Sequence, residues 1–355
     1  VSGIDFRVDL LSYWKLSGGN VKSDIPREFQ DRISEILSER IAGESKVRTL
    51  VNQLYAGSTG GGELSGGSDA WISDRFIPNL VWLERDDYSR SLVRALWLSP
   101  RFAGTDFMSS RQRDMAQVWT DTARGFLGEI AVGKFFSSFY GVDTRADTTR
   151  GKLEDYLSTD IAKVREKSGD WRDPKIKVSI KSTKFNGRWL DVPGNQYEHS
   201  DAFILVRLGI DKEHFLAFLK TVSFLRDKLF VEARRIGELD DGQAEELWNE
   251  VPMFTPIPAY ISGFLLKSDI GPGIHGLEVE AKGRKNRKLL IKRCVGVVSP
   301  DSLRSVPEVN ALDPDGKMVI VIDPIINSLT NQHFLANSGS LKWRRGEWEY
   351  LVGKL

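Results

Sequence analysis

Cysteine is almost missing from this chain: Cys294 stands alone among 355 residues. One cysteine excludes an internal disulfide and any multi-cysteine zinc site, and it points to an intracellular, cytoplasmic protein. Histidine is scarce too. His199, His214, His275 and His333 have no metal-ligand spacing and read as ordinary surface or core residues. Net charge is nearly absent, with 50 Lys and Arg against 49 Asp and Glu. A chain so balanced does not coat nucleic acid indiscriminately, although a local basic cleft stays open to it. No run of 18 or more apolar residues occurs, so no membrane span is expected. The opening "VSGIDFRVDLLSYW" is acidic where a signal peptide is basic and lacks an initiator Met, so it reads as a trimmed start. There is no G-x-x-x-x-G-K-[ST] and no G-x-S-x-G. "GPGIHG" (271–276) satisfies G-x-G-x-x-G, but a strand pattern rather than a helix follows it, so it reads as a loop.

What is present is organisation. The length exceeds one domain of roughly 100–200 residues, and the patterning divides it into three parts. Residues 1–114 read as helical, with "DIPREFQDRISEILSERIAG" capped by Asp24, Pro26 in its first turn and a stop at Gly43. A glycine-rich loop, "GSTGGGELSGGSD" (57–69), and a second helix around "DDYSRSLVRALWL" follow. Residues 115–264 mix both periods: a strong helix over 115–140, a strand at "IKVSIKST", the continuous apolar run "AFILVRLGI" and a return to helix at "EHFLAFLKTVSFLRDKLF". Residues 265–355 read as β-rich, with strands expected at "GLEVEAKG", "KLLIKRCVGVV", "KMVIVIDPI" and "EWEYLVGKL". The fold class is therefore α/β, with a helical N-terminal region and a β-rich C-terminal domain.

Two kinds of residue stand out chemically. "KGRKNRKLLIKR" (282–293) packs seven basic residues into twelve, either as a solvated hairpin or as a tracker of phosphates through Arg284, Lys285, Arg287 and Lys288. In "LKWRRGEWEY" (341–350) a core edge strand competes with a stacking platform. The second kind is an ordered set. Glu129 sits in the apolar helix "RGFLGEIAVGKFF", where an unpaired carboxylate is costly, and Gly125 and Gly133 one turn to either side leave room for another group. Asp160 follows in "EDYLSTDIAK", expected on a strand. Lys181 comes next in "KIKVSIKSTKF", where Ile176, Val178 and Ile180 share one face and Lys177, Ser179 and Lys181 the other. Two carboxylates and a lysine in this order suit metal-assisted phosphodiester hydrolysis. Carboxylates hold a hard divalent cation, the cation activates water, and the lysine orients that water or offsets charge on phosphorus.

In this order and context the sequence resembles the PD-(D/E)xK nuclease superfamily, which includes restriction endonucleases, the MutH-like mismatch-repair nuclease and archaeal junction resolvases. The resemblance is carried by "GEIAVGKFF", "STDI", "VSIKSTKF" and "DAFILVRLGI", over residues from about 120 to 225, with "IPAYISGFLL" (257–266) as a weaker closing match. It implies a restriction-endonuclease-like core, a mixed central sheet flanked by helices, over 115–264. It further implies a Mg²⁺ (or Mn²⁺) site made by Glu129, Asp160 and the Ile180 carbonyl, with Lys181 acting on water or phosphate and Ser179 lining the site. DNA is the implied partner, alongside a homodimer or the partner subunits of a prokaryotic or phage defence system. Lys184 is a spare cation at the DNA, and Asp155 a spare carboxylate. Two positions depart from the family pattern. Thr159 replaces its proline, and Ser179 replaces the acidic residue of (D/E)xK. Three accounts of the lost charge stand: Glu129 supplies the ligand from the helix, the site holds one metal and cuts slowly, or the fold binds DNA without cutting. A structure-specific repair or junction nuclease is the remaining alternative.

Overall fold

A computed structural model describes residues 27–56, 68–102, 114–146, 159–167, 169–283, 287–322 and 325–355. Asp24, Pro26, Asp155, Arg284, Lys285 and most of the glycine-rich loop lie outside the described residues. The strands are β1 (Leu80–Leu83), β2 (Val142–Arg145), β3 (Lys163–Glu166), β4 (Val178–Lys184), β5 (Trp189–Pro193), β6 (Ala202–Leu208), β7 (Ile257–Leu266), β8 (Ile274–Lys282), β9 (Lys288–Val298), β10 (Val319–Ile322) and β11 (His333–Asn337). The helices are α1 (Arg27–Ser38), α2 (Glu44–Ala56), α3 (Arg85–Phe102), α4 (Met115–Tyr140), α5 (Gly194–His199), α6 (His214–Thr221), α7 (Phe230–Arg235), α8 (Asp241–Glu250), α9 (Pro300–Arg304), α10 (Pro307–Leu312) and α11 (Arg345–Gly353). The protein is thus mixed α/β with several sheets and, among the described residues, no barrel. Among the described residues, no helix is long and apolar enough to cross a membrane.

The central sheet runs β1-β7-β6-β4, with β4 parallel to β6 and the other pairs antiparallel. Every residue of β6 is buried, as its continuous apolar run requires. Ala202, Ile204, Val206 and Leu208 face the long helix α4, with Val178 and Ile180 of β4 beside them. Phe203 and Leu205 point the other way, into a layer shared with Leu190, Val192 and Phe334. That layer belongs to a second sheet, β10-β9-β11-β5 with β8 on β9. One part of the central sheet's far face is therefore covered by another sheet and not by a helix. Near Leu80 and Tyr260 the cover is helical, from α1, α2 and the segment 68–79.

Helix α4 forms where its apolar period predicts. Asp114 caps it by accepting the Gln117 N–H at 2.8 Å, and Gly141 ends it in the left-handed region at φ 69°.

One expectation needs correction. "EWEYLVGKL" is helix α11, because Trp348, Leu351 and Leu355 fall at helical spacing and are buried together. Trp348 packs on Phe135, Phe136 and Phe264 at ring-centroid distances of 5.1, 6.0 and 4.7 Å. Within "LKWRRGEWEY", Leu341 and Trp348 belong to the core, while Arg344, Arg345, Glu349 and Tyr350 are exposed. The largely helical N-terminal region also contributes β1 to the central sheet. Strand pairings also link the three parts: β1 joins β7 across 114, and β5 joins β11 across 264.

Candidate functional site

Strand β4 is the edge of the central sheet, and its free edge is where the expected residues meet. Asp160 arrives from a bend just before β3, not from within a strand. The Asp160 N–H donates to the Val178 carbonyl at 2.8 Å, and the Ile180 N–H donates to the Asp160 carboxylate at 2.5 Å. The N–H and C=O of one strand residue face the same edge, so the Ile180 carbonyl lies on this side as well. Thr159, in the family's proline position, bonds through its hydroxyl to the Ile161 carbonyl at 3.0 Å and accepts the Val178 N–H at 3.2 Å. Its side chain does the work of fixing the bend.

Ser179 and Lys181 point away from α4, as strand alternation requires. Ser179 is buried, and its hydroxyl bonds to the Asp160 carboxyl. Lys181 Nζ donates to the Gln196 side-chain oxygen of α5. Burial pushes the Asp160 carboxyl above its usual range, against the pull of the Lys181 ammonium, the Ile180 N–H and the Ser179 hydroxyl. Burial likewise pulls Lys181 below the usual lysine range, opposed by the charges of Asp160, Asp191 and Glu129. Glu129 is half-buried on α4 and reaches Lys181 through its charge.

Helix α4 approaches β4 closely enough to do this because of Gly128. A Cβ there would land on the Ser182 hydroxyl, 3.2 Å from Ser182 Cβ and 3.7 Å from an Ile180 methyl. Of the two glycines singled out from sequence, Gly125 faces open space, while a Cβ on Gly133 would come within 2.9 Å of Thr144 Oγ1.

No protein-family model, curated protein or solved structure matches this chain. The geometry alone therefore bears on the site. It brings together Asp160, Ser179, Ile180 and Lys181, with Glu129 near enough to act on Lys181 through its charge.

It does not bring Arg287 or Lys288 there. Arg287 and Lys288 are exposed at the tip of β8 and β9. Gly296 shares a row with Asp191 through Leu335, and Lys288 lies eight residues along β9 from it, roughly 26 Å at about 3.3 Å per residue. Lys184 is exposed at the end of β4.

Three site residues were missed in the sequence. Gln196 holds Lys181. Asp191 on β5 contributes charge and bonds His333 Nδ1 of β11 at 2.7 Å. The Asp191–His333 pair joins positions far apart in sequence, and only the β5–β11 register puts them on one face.

Hard oxygen donors suit Mg²⁺ or Mn²⁺, and the fit rests here on Asp160, Glu129 and the Ile180 carbonyl. Among the described residues, no three His, Cys, Asp or Glu side chains form a metal-ligand group by themselves. A cation held here would complete its shell from the backbone carbonyl and water, as Mg²⁺ commonly does.

Proposed function

We propose that the protein is a divalent-metal-dependent deoxyribonuclease of restriction or defence type, with a restriction-endonuclease-like core formed around β4, β6, β7 and α4. The observation that carries this reading is the Asp160–Ile180 hydrogen bond, which sets a carboxylate one residue from Lys181 on the edge of the strand. Asp160, Glu129 and the Ile180 carbonyl would hold Mg²⁺ or Mn²⁺. When bound, the metal would supply a more acidic water and a polarised phosphate. Lys181, anchored by Gln196, would orient the attacking water or offset charge developing on the phosphate. Ser179 would hold Asp160 in place rather than ligate. DNA is the substrate that fits, and a homodimer or partner subunits would supply a second site for duplex cutting.

A second reading has its own observation. Ser179 is buried, lacks the charge of the family's acidic residue and spends its hydroxyl on Asp160. A fold that binds DNA without cutting would tolerate that arrangement.

The discriminating test is cleavage of duplex, single-stranded and branched DNA with Mg²⁺ or Mn²⁺. Cutting is expected, and Lys181→Ala and Asp160→Asn should each lower it by about 10²–10⁴-fold while DNA binding persists. Metal-independent cutting, or full activity in Lys181→Ala, rules out a metal-dependent nuclease site at Asp160 and Lys181. Binding without cutting by the wild-type chain favours the silent fold, and a strong preference for branched DNA favours a junction or repair nuclease.

A further inference from the structure

A cavity of about 500 Å³ opens beyond the C-terminal end of β4, off the catalytic edge. Its size falls within the range of small-molecule sites. Parallel strands β4 and β6 both end in it, at Lys184 and Leu208, and ligands of open α/β sheets bind beyond such carboxyl ends. Lys184 is three residues from Lys181, roughly 10 Å along the strand.

The lining divides by chemistry. Leu92, Ala123, Leu127, Ile210 and Phe215 give an apolar wall from α3, α4 and the start of α6. The Trp119 ring braces Phe215 edge-on, at a centroid distance of 5.8 Å. Arg124, Lys184 and Lys212 supply three cations against one carboxylate, Asp211. That carboxylate already accepts from the Gln53 side-chain amide. Among the described residues, Arg124 pairs with half-exposed Asp121 at 3.2 Å and Lys212 with exposed Glu213 at 3.1 Å, contacts that hold their charges weakly. Gln53, Asn186 and Thr120 add neutral donors and acceptors.

We infer that this cavity is a binding site for a nucleotide, with the base against the apolar wall and the phosphate on Arg124 and Lys184. A purely apolar ligand leaves three cations unused, and inorganic phosphate leaves the wall unused. A flat heteroaromatic body carrying a phosphate uses both. The same chemistry comes either from a free nucleotide or from one unit of a DNA strand. The inference stands on the cavity and not on the cleavage reading.

The test is isothermal titration in EDTA, so that neither metal nor cutting takes part. Deoxyadenosine monophosphate is expected to saturate one site per chain. Arg124→Gln and Lys184→Gln should each weaken it by about tenfold, the typical loss for a charge-assisted hydrogen bond. Thr120→Trp fills the cavity from α4 and should abolish binding; its thermal melt checks that it folds, and the two Gln variants test the site without a change of volume. Equal binding of a short 5′-phosphorylated single strand supports a strand unit as the occupant. Exclusion of that strand supports a free nucleotide. No nucleotide binding, binding untouched by all three variants, or equally tight binding of inorganic phosphate or deoxyadenosine overturns the inference. Lys181→Ala should leave the titration unchanged, so failure of the nuclease reading is read separately.

Discussion

Replacing Gly128 by alanine tests whether the close seat of α4 on β4 builds the site. In an exposed helix interior this change stabilises by about 1 kcal/mol, because alanine loses less backbone freedom than glycine. Here the new Cβ meets the Ser182 hydroxyl, with Ser182 Cβ at 3.2 Å and an Ile180 methyl at 3.7 Å. The hydroxyl stands where the new Cβ must go, and the 3.2 Å between the two Cβ atoms is tight as well. Overpacking of this kind costs about 1–3 kcal/mol. The net expectation is a loss of about 0–2 kcal/mol in urea denaturation, after subtracting the helix term. Ser182→Ala removes the obstructing atom. That hydroxyl is buried and has no hydrogen-bond partner among the described residues, so the single change should be neutral or stabilising. In the Ser182→Ala background, Gly128→Ala should then be close to neutral. The double-mutant cycle should show a coupling of about 1–2 kcal/mol, well above the roughly 0.3–0.5 kcal/mol scatter of independent sites. Because Glu129 is the next residue, Gly128→Ala should also reduce metal-dependent cleavage, and Ser182→Ala should restore it. A stabilising Gly128→Ala in the wild-type background, or additive free energies, would refute the close seat.

The remaining expectations concern the frame. His214 is buried, and its Nδ1 accepts the Asp211 N–H at 2.7 Å, which leaves Nε2 to donate to the Thr255 carbonyl at 3.2 Å. Burial is the main cause that lowers its pKa, with the charge of Asp211 and the bond to Thr255 opposing. A depressed folded pKa gives stability that is present above the unfolded value near 6.5 and lost as pH falls. The urea midpoint of the wild type should therefore drop between pH 7 and 5 more steeply than that of His214→Gln; parallel curves would remove His214 from the account. Trp348 is fully buried and its indole N–H donates to Asn79 Oδ1 at 2.8 Å. Trp348→Ala should cost about 3–5 kcal/mol. Trp348→Phe should still cost about 1–3 kcal/mol by leaving the buried Asn79 oxygen without its donor. A Phe variant as stable as wild type would show that this bond contributes nothing.

How much could be read beforehand depended on how local each cause was. Helix α4 was legible to its ends, because its period, its cap at Asp114 and its stop at Gly141 are all written in adjacent residues. Strand β6 was legible for the same reason, as a run of residues buried on both faces. Strand β1 was not: four residues, Leu80–Leu83, directly after a helical segment carry too little period, and what makes them a strand is β7, far along the chain. Helix α11 was misread because Trp348, Tyr350 and Val352 alternate as well as Trp348 and Leu351 space helically. The deciding partners, Phe135, Phe136 and Phe264, lie in other elements. At the site, the order Glu129, Asp160, Lys181 was visible. Gln196, Asp191 and His333 were not, since an isolated polar residue at a strand end has no pattern until the strands are paired.

That difference bears on Ser179. Read along the strand, the site is short of one negative charge, because serine stands where the family pattern has an acid. Counted in space, Lys181 feels three carboxylates, Asp160, Asp191 and Glu129, drawn from a bend, a neighbouring strand and a helix. A lysine buried in protein is held charged only by such neighbours, and their sum does not depend on which element carries each one. Asp160 is held from two sides as well, by the Ile180 N–H and the Ser179 hydroxyl. An acid at position 179 would put a second negative charge against a carboxyl that burial already pushes toward its neutral form. Serine avoids that repulsion and keeps a donor where Asp160 needs one. Lys181 thus feels, from Asp191 on a neighbouring strand, a negative charge that its own strand does not carry.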